Sequence, residues 1–151
     1  FGMNVQAWSA NLTPDRCTEC GVVCASREEL FATSDIVTVH LVLSDRTRGL
    51  IGTTEFQMMK PTAYLVNTSR GPIIQESALV SALQSGSIAG AGLDVYDTEP
   101  LPQNHPLRDL DNAVLTGHTG YVMRENYVTG YRGVVEDVSA WLNGEPVRLL
   151  N

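Results

Sequence analysis

The sequence is poor in positive charge. Ten Lys and Arg stand against seventeen Asp and Glu in 151 residues, a formal net charge of −7, and no basic cluster breaks that balance. A phosphate backbone or an anionic bilayer surface needs the opposite sign, so no nucleic acid and no membrane is expected as a partner. Long apolar runs are missing too: none approaches the roughly 18 residues that a bilayer-spanning helix requires. The N-terminus lacks the basic and apolar regions of a secretion signal, and the expected location is cytoplasmic. Cysteine is scarce, with Cys17, Cys20 and Cys24 the three present. Cys17-x-x-Cys20 has metal-ligand spacing. A structural zinc site wants four ligands, usually as two pairs, and the next histidine, His40, lies inside an apolar run. No metal is expected, and the three thiols are read as reduced. A further absence is the motif G-x-G-x-x-G. Gly90-Ala91-Gly92 comes nearest, but Val95 stands at the third glycine position. Those glycines also lead into a strand, where they cannot offer helix N-terminal N–H groups to a pyrophosphate.

What is present is a globular composition, with 43% hydrophobic residues, and a repeating pattern of short β-rich runs. They are Met3–Trp8, Gly21–Cys24, Ile36–Leu43, Ala63–Asn67, Ile88–Val95 and Ala113–Thr116. Ile36–Leu43 is almost continuously apolar, which predicts a strand buried on both faces of a parallel sheet. Helix signals fill the gaps. Ser26 is placed to cap a helix with Glu28 and Glu29 in its first turn. Thr53 or Thr54 could cap a helix before Glu55–Met59, which Pro61 ends. Gln75–Ser85 carries Leu79, Val80 and Leu83 on one face and stops at Gly86. Tyr127, Tyr131, Val134, Val135, Val138, Trp141 and Leu142 make one stripe on a helix spanning 122–143, with Asn143-Gly144 as its stop. Strands alternating with helices predict an α/β fold with a doubly wound parallel sheet.

Five stretches, in this order, carry a family resemblance. They are His40–Ile51, Met59-Lys60-Pro61, Tyr64-Leu-Val-Asn-Thr-Ser-Arg-Gly71, Ala89-Gly-Ala-Gly-Leu-Asp-Val-Tyr-Asp-Thr-Glu-Pro100 and Leu115-Thr-Gly-His-Thr-Gly120. Together they resemble the cofactor domain of the D-isomer-specific 2-hydroxyacid dehydrogenases. The resemblance covers nearly the whole chain. It implies a Rossmann-like sheet that is incomplete here. Phe1–Trp8 resembles the end of that domain's first helix followed by its second strand, so the first strand and its glycine loop are absent. The chain begins with Phe1 and reads as a piece of something longer. The implied sheet has a gap between its second and fourth strands.

The resemblance implies hydride transfer between a nicotinamide cofactor and a small 2-oxo or 2-hydroxy acid. It assigns catalysis to Arg70, Glu99 and His118. Arg70 would clamp the substrate carboxylate, since a guanidinium stays charged and can fork onto two oxygens. His118 would give and take the proton, imidazole being the side chain that titrates near neutrality. Glu99 would favour the imidazolium and orient the ring; Asp97 is the competing carboxylate. Gly117 stands where the family usually has Pro before its histidine. His105, in a His-Pro loop, is given no catalysis. For the cofactor, Asp94 matches the residue that binds the nicotinamide carboxamide, and Thr47, Asn67 and Thr68 match positions lining the groove. Ser9 stands where NAD-preferring members carry an acid for the ribose 2′-hydroxyl, with Asn11 and Arg16 nearby. The cofactor is therefore NAD or NADP, leaning to NADP.

Full-length relatives pair through this domain, so a homodimer is expected. The C-terminal helix would lead back towards a substrate domain. The isolated 151 residues are expected to show no useful turnover. The second reading is a dehydrogenase-like, nucleotide-sensing binding module of corepressor type, which could keep all three catalytic residues. A methyltransferase-type nucleotide fold would leave the Arg–Glu–His order unexplained.

Overall fold

The computed structural model describes residues 2–150. They form two compact units, one ending at Gly117 and one beginning at His118. The elements are β1 (Gln6–Ala7), α1 (Pro14–Cys20), β2 (Val23–Cys24), α2 (Arg27–Thr33), β3 (Ile36–Val39), α3 (Thr53–Met58), β4 (Tyr64–Asn67), α4 (Glu76–Ser85), β5 (Gly90–Leu93), β6 (Ala113–Leu115) and α5 (Arg124–Leu142).

Every strand pairing in the first unit is parallel. Among the described residues the ladders form two groups, β1–β2 and β3–β4–β5–β6, with no pairing between β1 and β3. This is the expected incomplete Rossmann-like sheet, interrupted between the second and fourth strands of the family's order. Of the β-rich run Met3–Trp8, only Gln6–Ala7 is strand; Gly2 before it is not helical, and Phe1 lies outside the described residues.

The register explains which side of the larger sheet is covered. Val37, Leu65 and Ala91 lie side by side, as do Val39, Asn67 and Leu93. These rows are buried under Phe31 of α2, Phe56 of α3 and Leu79, Ala82 and Leu83 of α4. Each fully buried Leu or Phe there contributes about 2 kcal/mol over exposure. The alternate rows point the other way, and Ile36, Tyr64 and Val114 remain exposed. The strand at Ile36 is thus buried on one face only, contrary to its continuous apolar pattern. It forms the edge of its sheet, and nothing among the described residues covers its second face.

Local chemistry sets the helix ends. Ser26 Oγ accepts from the Glu29 amide, the cap its sequence predicts, and the Glu29 carboxylate accepts from the Ser26 amide to close a reciprocal box. Gly86 ends α4 in the left-handed region at φ 68°. At α3 the N-cap is Gly52 rather than a threonine, because Glu55 reaches back to take the Gly52 amide at 2.7 Å. That brings Glu55 into the interior, where Arg27 Nη2 meets it at 2.8 Å. The cysteines also depart from expectation. Cys17 and Cys24 form a disulfide between α1 and β2, and Cys20 alone is free.

In the second unit, α5 is a 19-residue helix. Its stripe of Tyr127, Tyr131, Val134, Val135, Val138, Trp141 and Leu142 is exposed. Arg148 folds back on the helix, pairing with Asp137 at 2.8 Å and Glu136 at 3.0 Å.

Candidate active site

Parallel strands put all their C-terminal ends on one side, and open α/β sheets bind ligands there. In the four-stranded sheet those ends carry most of the expected residues. The turn after β4 is built by Asn67, which is 1% exposed. Its Nδ2 donates to the Arg70 carbonyl and its Oδ1 accepts from the Ser69 amide, both at 3.0 Å. The Ser69 hydroxyl donates to the Leu41 carbonyl, anchoring the turn to the chain leaving β3. Asn67 is therefore structural in this turn, while Thr68 and Arg70 are exposed on it.

The end of β5 lies alongside. The Asp94 amide donates to the Asn67 carbonyl at 3.0 Å, and the Asp94 residue is 5% exposed. The Thr116 hydroxyl donates to Asp94 Oδ1 at 2.6 Å. Glu99 Oε1 accepts from the Tyr96 amide at 2.9 Å, fixing the loop that follows. Gly71 locks the two turns together: a Cβ there would run into the backbone carbonyl of Tyr96. Asn67, Arg70, Asp94 and Glu99 thus sit on two turns in backbone contact. The Tyr96 hydroxyl lies 2.8 Å from the Thr116 carbonyl and 3.1 Å from the Leu93 carbonyl, within donating distance of both. Burial, and then the charge of Asp94, push its phenol up.

The remaining expectations divide. Thr47 Oγ1 donates to the Val42 carbonyl at 2.7 Å and accepts from the Ser44 amide at 2.8 Å, so the hydroxyl shapes the loop after β3. Ser9 and Asn11 follow β1 on the smaller ladder, Ser9 half-buried and Asn11 exposed. Arg16 is turned to Glu19 at 2.8 Å on the exposed side of α1. Asp97 is exposed, its carboxyl raised by partial burial and by Glu76. His105 Nδ1 accepts from the Leu107 amide, which leaves Nε2 to donate to Glu76 at 2.9 Å. That is a structural histidine.

His118 belongs to the second unit. Its backbone is left-handed, at φ 58°, and its ring meets Tyr121 edge-on with centroids 6.1 Å apart. A non-glycine residue in that region is uncommon and such positions concentrate at functional sites. Sequence reasoning missed Gly71, Tyr96 and Thr116. Each was inside a matching stretch, but its role comes from contacts made across strands.

The residues present fit the nicotinamide end of a dinucleotide. Asp94 is a buried carboxylate at a strand end, a group whose chemistry is to accept from N–H donors such as those of a carboxamide. No glycine-rich turn for a pyrophosphate occurs in the sequence.

Comparison with known proteins identifies the family. The chain is 42% identical over 152 aligned residues to a glyoxylate reductase of Aeropyrum pernix, covering all of this chain and 45% of that one. It is 38% identical to a D-3-phosphoglycerate dehydrogenase of Archaeoglobus fulgidus, covering 97% of this chain and 28% of that one. The crystal structure of a D-isomer specific 2-hydroxyacid dehydrogenase from Xanthobacter autotrophicus Py2 superposes with a TM-score of 0.83 at 35% identity, covering 97% of this chain and 48% of that one. The chain therefore spans less than half the length of these relatives. Residues 1–120 match the family model described as the NAD binding domain of D-isomer specific 2-hydroxyacid dehydrogenase, and the chain belongs to that family.

Proposed function

We propose that this chain carries the nicotinamide side of the site in an oxidoreductase acting on small 2-oxo acids and D-2-hydroxy acids. The observation that carries the reading is the convergence of Asn67, Arg70, Asp94 and Glu99 on two interlocked turns at the C-terminal ends of β4 and β5. A bound nicotinamide would supply the hydride. Arg70, exposed on its turn, holds the substrate carboxylate and polarises the adjacent carbonyl. His118 donates the proton to the carbonyl oxygen and takes it back in the reverse direction. Glu99 is the carboxylate that favours the imidazolium. Asp94 accepts from the carboxamide, which orients the ring. Thr47 and Thr68 line the groove. Ser9 carries no charge to repel a 2′-phosphate, so the cofactor leans to NADP, with Asn11 as its neighbour. Arg16 is a weaker phosphate ligand than its position suggested, since Glu19 holds it.

The reading extends to a cytoplasmic protein that self-associates as a homodimer, with α5 leading towards a substrate domain. Glyoxylate, hydroxypyruvate, phosphohydroxypyruvate and pyruvate are the substrates to try. The test replaces the matching segment of the Aeropyrum pernix enzyme with residues 1–151 and follows NADH and NADPH oxidation. Turnover is expected, with loss of at least a hundredfold on Arg70→Met or His118→Asn. A folded chimera that binds cofactor and is indifferent to both substitutions would sink the reading and favour the corepressor-like module. The 151-residue chain alone is expected to be inactive.

A further inference from the structure

The disulfide between Cys17 and Cys24 has an asymmetric setting. Cys17 is 3% exposed, whereas Cys24 lies on the exposed strand β2. Cys17 is also the one buried residue of α1. A seven-residue helix is far too short to persist by itself in water, and α1 has no other buried side chain to dock it. Cys24 Sγ lies 3.7 Å from the carbonyl of Thr13, a packing contact without a hydrogen bond because a disulfide sulfur has no proton to donate; the Thr13 hydroxyl caps α1 by accepting from the Arg16 amide. The bridge therefore joins the middle of α1 to β2. Cys20 is a separate, exposed thiol on the same helix.

We propose that Cys17–Cys24 is a reversible thiol–disulfide exchange site for a dithiol reductant, entered at Cys24, and that its opening releases α1 from β2. In the first step an incoming thiolate attacks Cys24 Sγ. A new S–S bond forms there, the Cys17–Cys24 bond breaks, and the electron pair leaves on Cys17 Sγ, which takes a proton. The second thiol of the reductant then attacks the mixed disulfide and frees Cys24. Two electrons pass to the chain and the dithiol becomes a cyclic disulfide. Attack at Cys17 is blocked by its burial. In a reducing compartment a disulfide is a transient or redox-sensing device rather than a permanent staple, and the location proposed above would make this one such a device. The exchange itself does not depend on the dehydrogenase reading.

The test uses the 151-residue chain under native conditions, with iodoacetamide, dithiothreitol and glutathione as probes. Intact mass should show one alkylated thiol, mapped to Cys20, before dithiothreitol and three after it. A brief glutathione pulse quenched in acid should place the mixed disulfide on Cys24. Reduction should lower the melting midpoint and speed amide exchange in residues 9–25, and reoxidation should restore both. A Cys17→Ser/Cys24→Ser chain should match the reduced protein and ignore dithiothreitol, while Cys20→Ser should behave as the parent. Three alkylations before any reductant, one after it, a glutathione adduct on Cys17, or unchanged exchange in residues 9–25 on reduction would each overturn the proposal.

Discussion

The hydroxyl of Thr116 donates to Oδ1 of Asp94 across 2.6 Å, joining the ends of β5 and β6. Thr116 is the residue after β6 and Asp94 the residue after β5, so this bond fixes the candidate carboxamide acceptor from a neighbouring strand. Thr116→Val keeps the shape and removes the donor. It should cost about 2 kcal/mol in urea unfolding, since a buried carboxylate oxygen loses a charge-assisted bond. Thr116→Ser should recover most of it. A valine variant as stable as the parent would mean that Asp94 is held by other means.

Gly71 sets the spacing between the turns of Arg70 and Glu99. Because a Cβ would strike backbone rather than a flexible side chain, Gly71→Ala cannot be relieved by a rotamer change. It should destabilise by about 3 kcal/mol and, in the chimera above, lower kcat/KM beyond what lost stability explains. An alanine variant with parental unfolding midpoint and turnover would show that the turns tolerate separation.

Arg27 lies across the interior end of α3. Its Nη2 donates to Glu55 at 2.8 Å and to the Leu50 carbonyl at 2.6 Å, and its plane lies over the Trp8 ring at 5.6 Å. Arg27→Ala would take the charged partner from the buried Glu55 carboxylate and leave it the Gly52 amide bond. A fully buried pair broken on one side costs about 3–5 kcal/mol; with Arg27 a third exposed, about 2–3 kcal/mol is expected. The double change Arg27→Ala/Glu55→Gln should restore part of that loss, measured as a double-mutant cycle. Strict additivity would show that the two side chains are not coupled.

Tyr96 makes stability depend on alkali. Its folded-state pKa is raised, first by burial and then by Asp94. A raised value means that the phenol's contribution is complete below the ordinary value near about 10 and is lost as pH rises through the folded one. Tyr96→Phe removes the bond to the Thr116 carbonyl at a cost of about 1 kcal/mol at neutral pH. It should also flatten this share of the alkaline decline in the melting midpoint. An identical decline in parent and variant would remove Tyr96 from it.

Much of this was legible because the signals are local. The Ser26 cap, the Gly86 stop and the order of strands and helices follow from neighbours in sequence, and the structure has them as expected. So does the interruption between β1 and β3, which followed from the family's strand order and the missing glycine motif. The misreadings are non-local. The apolar run from Ile36 suggested burial on two faces, but burial needs a second layer and apolarity alone does not supply one. Thr53 and Thr54 offered hydroxyl caps, yet Glu55 satisfies the Gly52 amide from within the helix. The pairing of Cys17 with Cys24 needed the turn at Gly21 to bring their Cα atoms to 5.7 Å. Of the candidate site, residue identities came from matching stretches. The bonds from Asn67, Tyr96 and Thr116 that position them could not be read from spacing.

The unequal size of the two ladders has a consequence for local opening. Ser9 and Asn11 follow a ladder of two residue pairs, while Asn67, Arg70 and Asp94 follow one of four strands. Local opening is governed by how many bonds must part together, so the two ladders should belong to separate cooperative units. A molecule long enough to touch both strand ends would have to brace them against each other. Its binding would then register as slower opening of the weaker ladder while the stronger one scarcely changes.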